Sequence, residues 1–371
     1  MYLLSALRGG QITNKTVILR VDFNIETAKE TFRLKASLPT IEFLLQNNCK
    51  IVLLSHRGRP EIKDQSAKIK INKEYSLKIV LPFLKKNLRS TIKFFNHFDF
   101  PKITAVIKAA PPKSIFLLEN LRLLADEEAN KPELGRELAR LGDLFVNDAF
   151  AVSHRNNSSI TQLPKYLPNC AGLLLEKEIT ALGKLLGPSH KPLVIILGGA
   201  KASDKIGVIK HFMDQANCFL VGGMAANTFL KAQGVDIFDS GYEPEMVTTA
   251  KNLLDSPKII LPVDFVLGQN KYLDIGSKSV AVFSEKIKTA QTIFWNGPMG
   301  LFENPKYING SKAIALAIAK TKAFSVLGGG ETTYLIHKLG LEKKFSFLST
   351  GGGAMLEFLS GKKLPGIEAL K

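Results

Sequence analysis

Residues 192–205 read Pro-Leu-Val-Ile-Ile-Leu-Gly-Gly-Ala-Lys-Ala-Ser-Asp-Lys. Positions 193–197 form a continuous apolar, β-branched run, as expected of a parallel strand covered on both faces. Gly198 and Gly199 end it, and a helix is expected from Lys201 onward. A strand that turns through glycine into a helix presents backbone N–H groups and the positive helix end, which suits phosphate. Lys201 and Lys205 would sit one turn apart on the same face of that helix. The competing reading is an ordinary strand-to-helix turn with solvated lysines. The spacing of a P-loop, Gly-x-x-x-x-Gly-Lys-Ser/Thr, is absent.

Other apolar runs end in equally polar chemistry. Residues 16–21 lead into Asp22 and Asn24, and 50–54 into His56, Arg57 and Arg59. Residues 114–118 lead into Glu119 and Arg122, and 144–146 into Asn147 and Asp148, with His154 and Arg155 just beyond. Arg33 begins the helix after the first strand. Guanidinium groups hold carboxylate and phosphate in two-pronged fashion, so repeated Arg and His at strand ends point to a small, multiply charged organic phosphate. The second half ends its strands in glycine instead: Gly222-Gly223, Asn296-Gly297-Pro298, Gly328-Gly329-Gly330-Glu331 and Gly351-Gly352-Gly353. Backbone amides there suit a nucleotide polyphosphate lying across several helix N-termini.

The elements that must position these groups alternate between strand and helix, with helical patterns at 36–47 and 132–141. That rhythm means parallel sheets with helices on both faces, and ligands outside the carboxyl ends of the strands. Residues 171–186 read as one long helix joining two halves. At 371 residues two domains are expected. Hydrophobic residues make up 45% and charged residues 22%, which excludes a disordered chain. No apolar run is long enough to cross a bilayer, and residues 1–10 are too short and too interrupted for a secretory signal. Three scattered cysteines oppose a disulfide framework or a cysteine zinc site, so a soluble protein of a reducing compartment, cytoplasmic, is expected. Neither His-Glu-x-x-His nor Gly-x-Ser-x-Gly occurs, nor Gly-x-Gly-x-x-Gly after the first strand. The net charge is +17, and residues 68–93, the densest basic run, read as an amphipathic helix with a solvated face.

The motifs resemble those of phosphoglycerate kinases over nearly the whole chain. Arg20-Val-Asp-Phe-Asn24, Ser55-His-Arg-Gly-Arg-Pro60, Leu118-Glu-Asn-Leu-Arg122 and Asn147-Asp-Ala-Phe150 with His154-Arg155 are similar to that family's N-terminal signatures. Gly198-Gly-Ala-Lys-Ala-Ser-Asp-Lys205, Leu261-Pro-Val-Asp-Phe-Val266, Trp295-Asn-Gly-Pro298 with Phe302-Glu303, and Ser349-Thr-Gly-Gly-Gly-Ala354 are similar to its C-terminal ones. The resemblance implies two Rossmann-like lobes, each a parallel β-sheet flanked by helices, with a central cleft. Residues 1–170 would form the phosphoglycerate lobe, with 356–371 folding back onto it, 171–186 the connecting helix, and 187–355 the nucleotide lobe.

It further implies reversible, in-line transfer of the acyl phosphate of 1,3-bisphosphoglycerate to Mg-ADP, with lobe closure, giving 3-phosphoglycerate and ATP. Asp22, Asn24, Arg33, His56, Arg59, Arg122 and Arg155 would hold the phosphoglycerate. Gly199, Ala200, Lys201, Lys205, Gly222, Asn296, Pro298, Leu301, Glu303, Gly328, Gly329, Gly330, Glu331 and Thr332 would line the nucleotide site. Glu303 would take the ribose hydroxyls and Glu331 the Mg²⁺ or its waters. Arg33, Lys205 and the amides of Gly351, Gly352 and Gly353 would neutralise the oxygens in flight, as phosphoryl transfer requires. A monomer is expected, with neither nucleic acid nor membrane as partner. The alternatives are a basic nucleic-acid-binding protein on a kinase-like scaffold and a kinase for another small carboxylate. The chain departs from the family pattern in having Glu331 for an aspartate, and Met224 and Tyr272 for glycines. Its loop after Asn24 and its 266–274 connection are also short.

Overall fold

The structure, a computed structural model, describes residues 1–7, 9–61, 73–188 and 190–370. They divide into two compact units: Met1–Ile179 with Lys363–Lys371, and Thr180–Lys362.

The first unit alternates strand and helix: β1 (Thr16–Arg20), α1 (Phe32–Gln46), β2 (Lys50–Leu54), α2 (Leu81–Asn87), β3 (Ile92–Phe95), α3 (Phe100–Ala109) and β4 (Ile115–Leu118). Two short helices, α4 (Ala125–Glu128) and α5 (Pro132–Ala139), precede β5 (Leu144–Asn147) and β6 (Asn169–Ala171). All six strands are parallel in the order β3-β4-β2-β1-β5-β6. The order reverses direction between β1 and β5, where Arg20 pairs with Asn147. The crevice for a ligand belongs at such a switch point. β4 and β5 are buried along their whole length, which explains the apolar sequence of β4 and of β5 up to Asn147.

Helix α6 (Leu173–Leu186) follows β6, and the division between the units falls inside it. Residue 171 therefore ends a strand and does not begin the helix.

The second unit runs β7 (Leu193–Leu197), α7 (Ser203–Phe212), β8 (Cys218–Val221), α8 (Gly223–Ala232), α9 (Val247–Leu253) and β9 (Ile259–Ile260). A hairpin of β10 (Phe265–Gly268) and β11 (Lys271–Ile275) leads to α10 (Ser277–Lys288) and β12 (Thr292–Asn296). Then come α11 (Asn309–Ala319), β13 (Phe324–Gly328), α12 (Gly330–Lys338), β14 (Phe347–Leu348) and α13 (Gly353–Leu359). The parallel sheet has the order β14-β13-β12-β7-β8-β9. Renumbered within the unit this is 3-2-1-4-5-6, the doubly wound order of dinucleotide-binding sheets, with its switch point between β7 and β12. Asn296 pairs with Leu197 there. The last helix, α14 (Pro365–Glu368), packs in the first unit: the Gly366 amide donates to the Ser153 carbonyl at 2.8 Å, and Asn147 Nδ2 to the Gly366 carbonyl at 3.2 Å. Residues 356–362 belong to the second unit.

Three sequence expectations change. The described part of the basic run 68–93 is not one helix (residues 68–72 lie outside the described residues). It contains 3₁₀ turns, the seven-residue α2 and the start of the edge strand β3, because Pro82 and the β-branched pair Thr91-Ile92 break helical continuity. The strand expected before Gly351-Gly352-Gly353 is only two residues long, Phe347–Leu348, with a 3₁₀ turn before it. The short 266–274 connection is a tight hairpin, in which Gln269 and Asn270 both take positive φ, 52° and 56°. Two such central residues match the twist of the strands they join.

Candidate active site

In the first unit the strand-end side chains expected to hold phosphoglycerate come together through hydrogen bonds that sequence distance hides. Asp22 leaves β1 buried, and its carboxylate accepts from the Asn24 amide at 3.0 Å and pairs with Arg33 Nη1 at 2.9 Å. The same Nη1 donates to the Asn24 carbonyl at 3.2 Å. Asn24 Oδ1 in turn accepts from the Gly58 amide at 2.8 Å, and the Gly58 carbonyl accepts from Arg122 Nη1 at 2.7 Å. Arg122, buried, also pairs with Glu128 at 3.1 Å. Burial lowers its pKa, Glu128 raises it, and the charges of Arg155, Arg20 and Arg59 lower it further. His56 is buried, and its pKa lies well below the usual 6.5, first through burial and then through Arg20, Arg122, Arg33 and Arg155. The charges of four guanidinium groups thus act on the imidazole just beyond β2, where Arg20 Nη2 lies 3.4 Å from His56 Nδ1, and Arg59 adds its field at Arg122.

Arg57 is the exception. Its Nε donates to the Ile25 carbonyl and its Nη2 to that of Glu26, each at 2.8 Å, and its Nη1 to that of Glu74. It staples the loop after β1 to the loop after β2. Read from sequence as one more anion-binding arginine, it is a backbone clamp, because four carbonyls, that of Ser76 at 3.5 Å among them, converge on its planar fork.

Sequence reasoning assigned no role to Arg20, Ser159, Glu127 or Glu119. Glu119 accepts from the Ser76 hydroxyl and from the amides of Leu77 and Asn120 at 2.7–2.8 Å. It orders the chain before Asn120, which caps the turn carrying Arg122. Arg20 alone could have been found, as a charge closing an otherwise apolar strand.

In the second unit the glycines separate into two groups. A Cβ on Gly198 would lie 2.1 Å from the Pro298 carbonyl oxygen, one on Gly222 2.5 Å from Met299 Sδ, and one on Gly297 2.2 Å from the Gly198 carbonyl oxygen. These turns pack backbone on backbone: the Gly199 amide donates to the Pro298 carbonyl at 2.8 Å and the Gly223 amide to that of Met299 at 2.9 Å. Their glycines are explained by chain packing, where a ligand's approach was the expectation. Beyond Gly330, Gly352 and Gly353 nothing lies within 4 Å on the Cβ side, so those turns are open.

Lys205 is buried, and its ammonium donates to Asn296 Oδ1. Asn296 Nδ2 donates to the Gly328 carbonyl at 2.8 Å, and the Thr332 hydroxyl accepts from the Gly297 amide at 2.8 Å. Asn296 and Thr332 therefore join the turns after β7, β12 and β13. Burial lowers the Lys205 pKa, while Asp204, Glu331 and Glu243 raise it. Glu331 opens α12 and lies beside Gly199: its Oε2 is 3.7 Å from where a Cβ there would be. Burial and then Glu303 push its carboxyl pKa up, and Lys205 draws it down.

Lys201 is exposed and lies before α7, which begins at Ser203, so the two lysines do not share a helix face. A carboxylate fixes that start. Glu243 accepts from the Ser203 amide at 2.7 Å and from its hydroxyl at 2.9 Å, taking the helix end expected to attract phosphate. Ala200, Leu301 and Glu303 are exposed, and Pro298 is buried. Tyr272 stacks on Phe265 at 3.9 Å between ring centroids, meets Phe238 edge-on, and donates its hydroxyl to the Asp236 carbonyl at 3.2 Å.

A sequence model of the phosphoglycerate kinase family matches residues 7–362. The chain belongs to the phosphoglycerate kinase family. It is 40% identical to the phosphoglycerate kinase of Finegoldia magna, covering 98% of each chain, and 42% identical to that of Koribacter versatilis, covering 97% of each. The solved phosphoglycerate kinase of Coxiella burnetii superposes with a TM-score of 0.83 at 34% identity, over 100% of this chain and 99% of that one. That of Pyrococcus horikoshii gives 0.83 at 31% identity, over 100% and 98%. Membership makes the chain a transferase, a kinase of glycolysis.

Proposed function

We propose that this chain transfers the acyl phosphate of 1,3-bisphosphoglycerate to ADP, reversibly, through the residues gathered at the two switch points. The observation that carries the reading is the array of Arg20, Arg33, Arg122 and Arg155 around the uncharged His56, with Arg59 acting at Arg122. So dense a cationic field is costly without a multiply charged anion to answer it. Asp22 holds Arg33, and the remaining N–H groups of Arg33 are the ones we assign to the transferring phosphoryl group. Asn24, His56, Arg59, Arg122 and Arg155 hold the body of the phosphoglycerate.

In the second unit we assign the nucleotide phosphates to Lys201, Lys205 and the turns at Gly199–Ala200 and Gly328–Thr332. Leu301 and Glu303 take the base side and the ribose. Asn296, Gly222 and Pro298 act by shaping those turns. We assign the open turn at Gly352 and Gly353 to the developing charge; the Gly351 amide, expected to join them, is buried and donates to Ser349 Oγ at 3.0 Å. Phosphoryl transfer asks for such positioned donors and for little covalent chemistry. Mg²⁺ fits here as the companion of the nucleotide phosphates. Burial and then the charge of Glu303 raise the Glu331 pKa, so a cation beside these two carboxylates would be favoured, and among the described residues no cluster of three ligating side chains exists to hold a metal without nucleotide. Glu331 would hold the ion or its waters, and the ion would screen the phosphate oxygens.

The test is ATP-dependent formation of the acyl phosphate, coupled to a reductase. Arg33→Ala and Lys205→Ala are each expected to lower kcat by about two orders of magnitude, as loss of one transition-state donor does. The alkaline limb of the wild-type profile should lie below the ordinary lysine range, because the Lys205 pKa is lowered. Unchanged kcat in both variants would remove this mechanism.

A further inference from the structure

A file of buried polar groups in the first unit ends on His56 and runs in one chemical direction. Glu127, on α4, accepts from the Ser159 hydroxyl at 2.6 Å and from the Ser159 amide at 2.9 Å. The one hydroxyl proton of Ser159 is therefore committed to Glu127, and Oγ is left to accept from Arg20 Nε at 3.0 Å. Arg20 Nη2 lies 3.4 Å from His56 Nδ1. A guanidinium has donors only, so His56 Nδ1 must accept, and in a neutral ring the proton is then on Nε2. All four residues are buried, which gives each misplaced donor or acceptor a desolvation penalty and makes the direction of the file strongly specified.

We propose that Glu127 and Ser159 are positioning residues for the substrate site: through Arg20 they fix His56 as the neutral Nε2–H tautomer, a directional donor to an ionised phosphate or carboxylate oxygen. The proposal deepens the reading of the first unit as the phosphoglycerate site and rests on it for the identity of the acceptor. It separates two tasks within that site. The arginines supply charge, which attracts any anion. A neutral N–H donor adds selectivity, since it favours a bare oxygen and disfavours a ligand group that carries its own proton there. The charged groups facing the imidazole are Arg20, Arg122, Arg33 and Arg155, with Glu127 and Asp22 acting at Arg20. Burial, first, and then those four cations favour the neutral ring.

The experiment is long-range proton–nitrogen NMR of ¹⁵N-histidine-labelled full-length protein without substrate, with the His56 signals identified by their loss in His56→Gln. The expected spectrum at pH 7.5 shows His56 as the Nε2–H tautomer. In Ser159→Ala, Arg20 loses its anchor, and a mixture of tautomers is expected. The KM for 3-phosphoglycerate should rise about tenfold with kcat within about twofold, the mark of lost ground-state binding. Ser159→Thr, which keeps the hydroxyl, should restore both. An Nδ1–H or protonated His56 in the wild type overturns the proposal, and this holds even if Ser159→Ala does not fold. A wild-type tautomer and KM in a folded Ser159→Ala overturn it equally. The free-protein spectrum stands whether or not the chain turns over phosphoglycerate, so failure of the substrate reading is seen separately, in the coupled assay.

Discussion

Arg57 and Arg59, two positions apart in one motif, separate fold from function. Arg57 donates to four backbone carbonyls, those of Ile25, Glu26, Glu74 and Ser76, whereas Arg59 is exposed and contributes its charge at Arg122. Arg57→Ala leaves those carbonyls to water or to nothing, at a cost of about 1–3 kcal/mol. Its Tm should fall by several degrees. Arg59→Ala should leave Tm within about a degree, as exposed substitutions do, while raising the KM for 3-phosphoglycerate. Thermal melts and steady-state kinetics on the two variants check this, and equal Tm losses would refute the division of roles. The arginines of the site were legible because charge at the end of an apolar strand is conspicuous. The distinction between them was not, because it depends on which carbonyls lie nearby. Glu127 and Ser159 were illegible for the same reason: Ser159 meets Arg20 from 139 positions away.

Four helices of this protein begin on carboxylates brought from elsewhere. Asp148 accepts from the amides of Leu174 and Leu175 at the start of α6, Glu243 from Ser203 at α7, Asp264 from Lys278 and Ser279 at α10, and Asp274 from Gly310 at α11. Each satisfies orphan N–H groups and answers the helix dipole. Their protonation differs with depth. Burial pushes Asp148 up to about 6, against the pull of Thr40 and the two amides, and pushes Asp274 likewise to about 6. At Asp264 burial also pushes upward, but hydrogen bonds from Ser279 and Lys278 outweigh it and the value falls below 3.8.

The linkage signs are therefore opposite. Between about pH 4 and 6, Asp148 and Asp274 bind a proton in the folded state that the unfolded chain does not, so their contribution grows as pH falls through 6 and is lost as pH rises. Asp264 contributes stability that is present above its unfolded value and lost on acidification. Asp148→Asn should flatten the dependence of stability on pH between about 4 and 6, by up to about 3 kcal/mol for a two-unit shift. Asp264→Asn should show a deficit at pH 7 that narrows toward pH 3.5. Scanning calorimetry across pH decides, and a wild-type slope preserved in Asp148→Asn would show that this group does not titrate in the range. The parallel sheets were legible from the rhythm of apolar runs ending in polar or glycine turns. β3, β6, β9 and the hairpin were not, since short edge strands carry too few apolar residues to stand out from their surroundings. The α7 start was misread because its cap, Glu243, is 40 positions away.

Across the whole molecule, 50 basic residues face 33 acidic ones. Many of those acids are engaged with backbone amides: Asp22, Glu119, Glu127, Asp143, Asp148, Glu243, Asp264 and Asp274 all accept from main-chain N–H groups. The carboxylates that hold the fold are thus largely withdrawn from the lysines, and ion pairs involving lysine among the described residues include only exposed contacts such as Lys102–Asp99 and Lys362–Glu357. The excess charge then has two consequences that salt should pull apart. Raising NaCl shortens the screening length from about 30 Å at 0.01 M to about 10 Å at 0.1 M. Self-repulsion weakens, so Tm should rise by a few degrees. Steering of anionic substrates also weakens, so kcat/KM for 3-phosphoglycerate should fall over the same range while kcat holds. Sulfate at matched ionic strength should raise Tm further than chloride, because an anion that binds the arginine array stabilises the folded state by mass action beyond screening. In Arg122→Ala that additional gain should shrink while the chloride effect remains. If chloride and sulfate act alike in the wild type, the array does not hold an anion, and the high charge is a property of the surface alone.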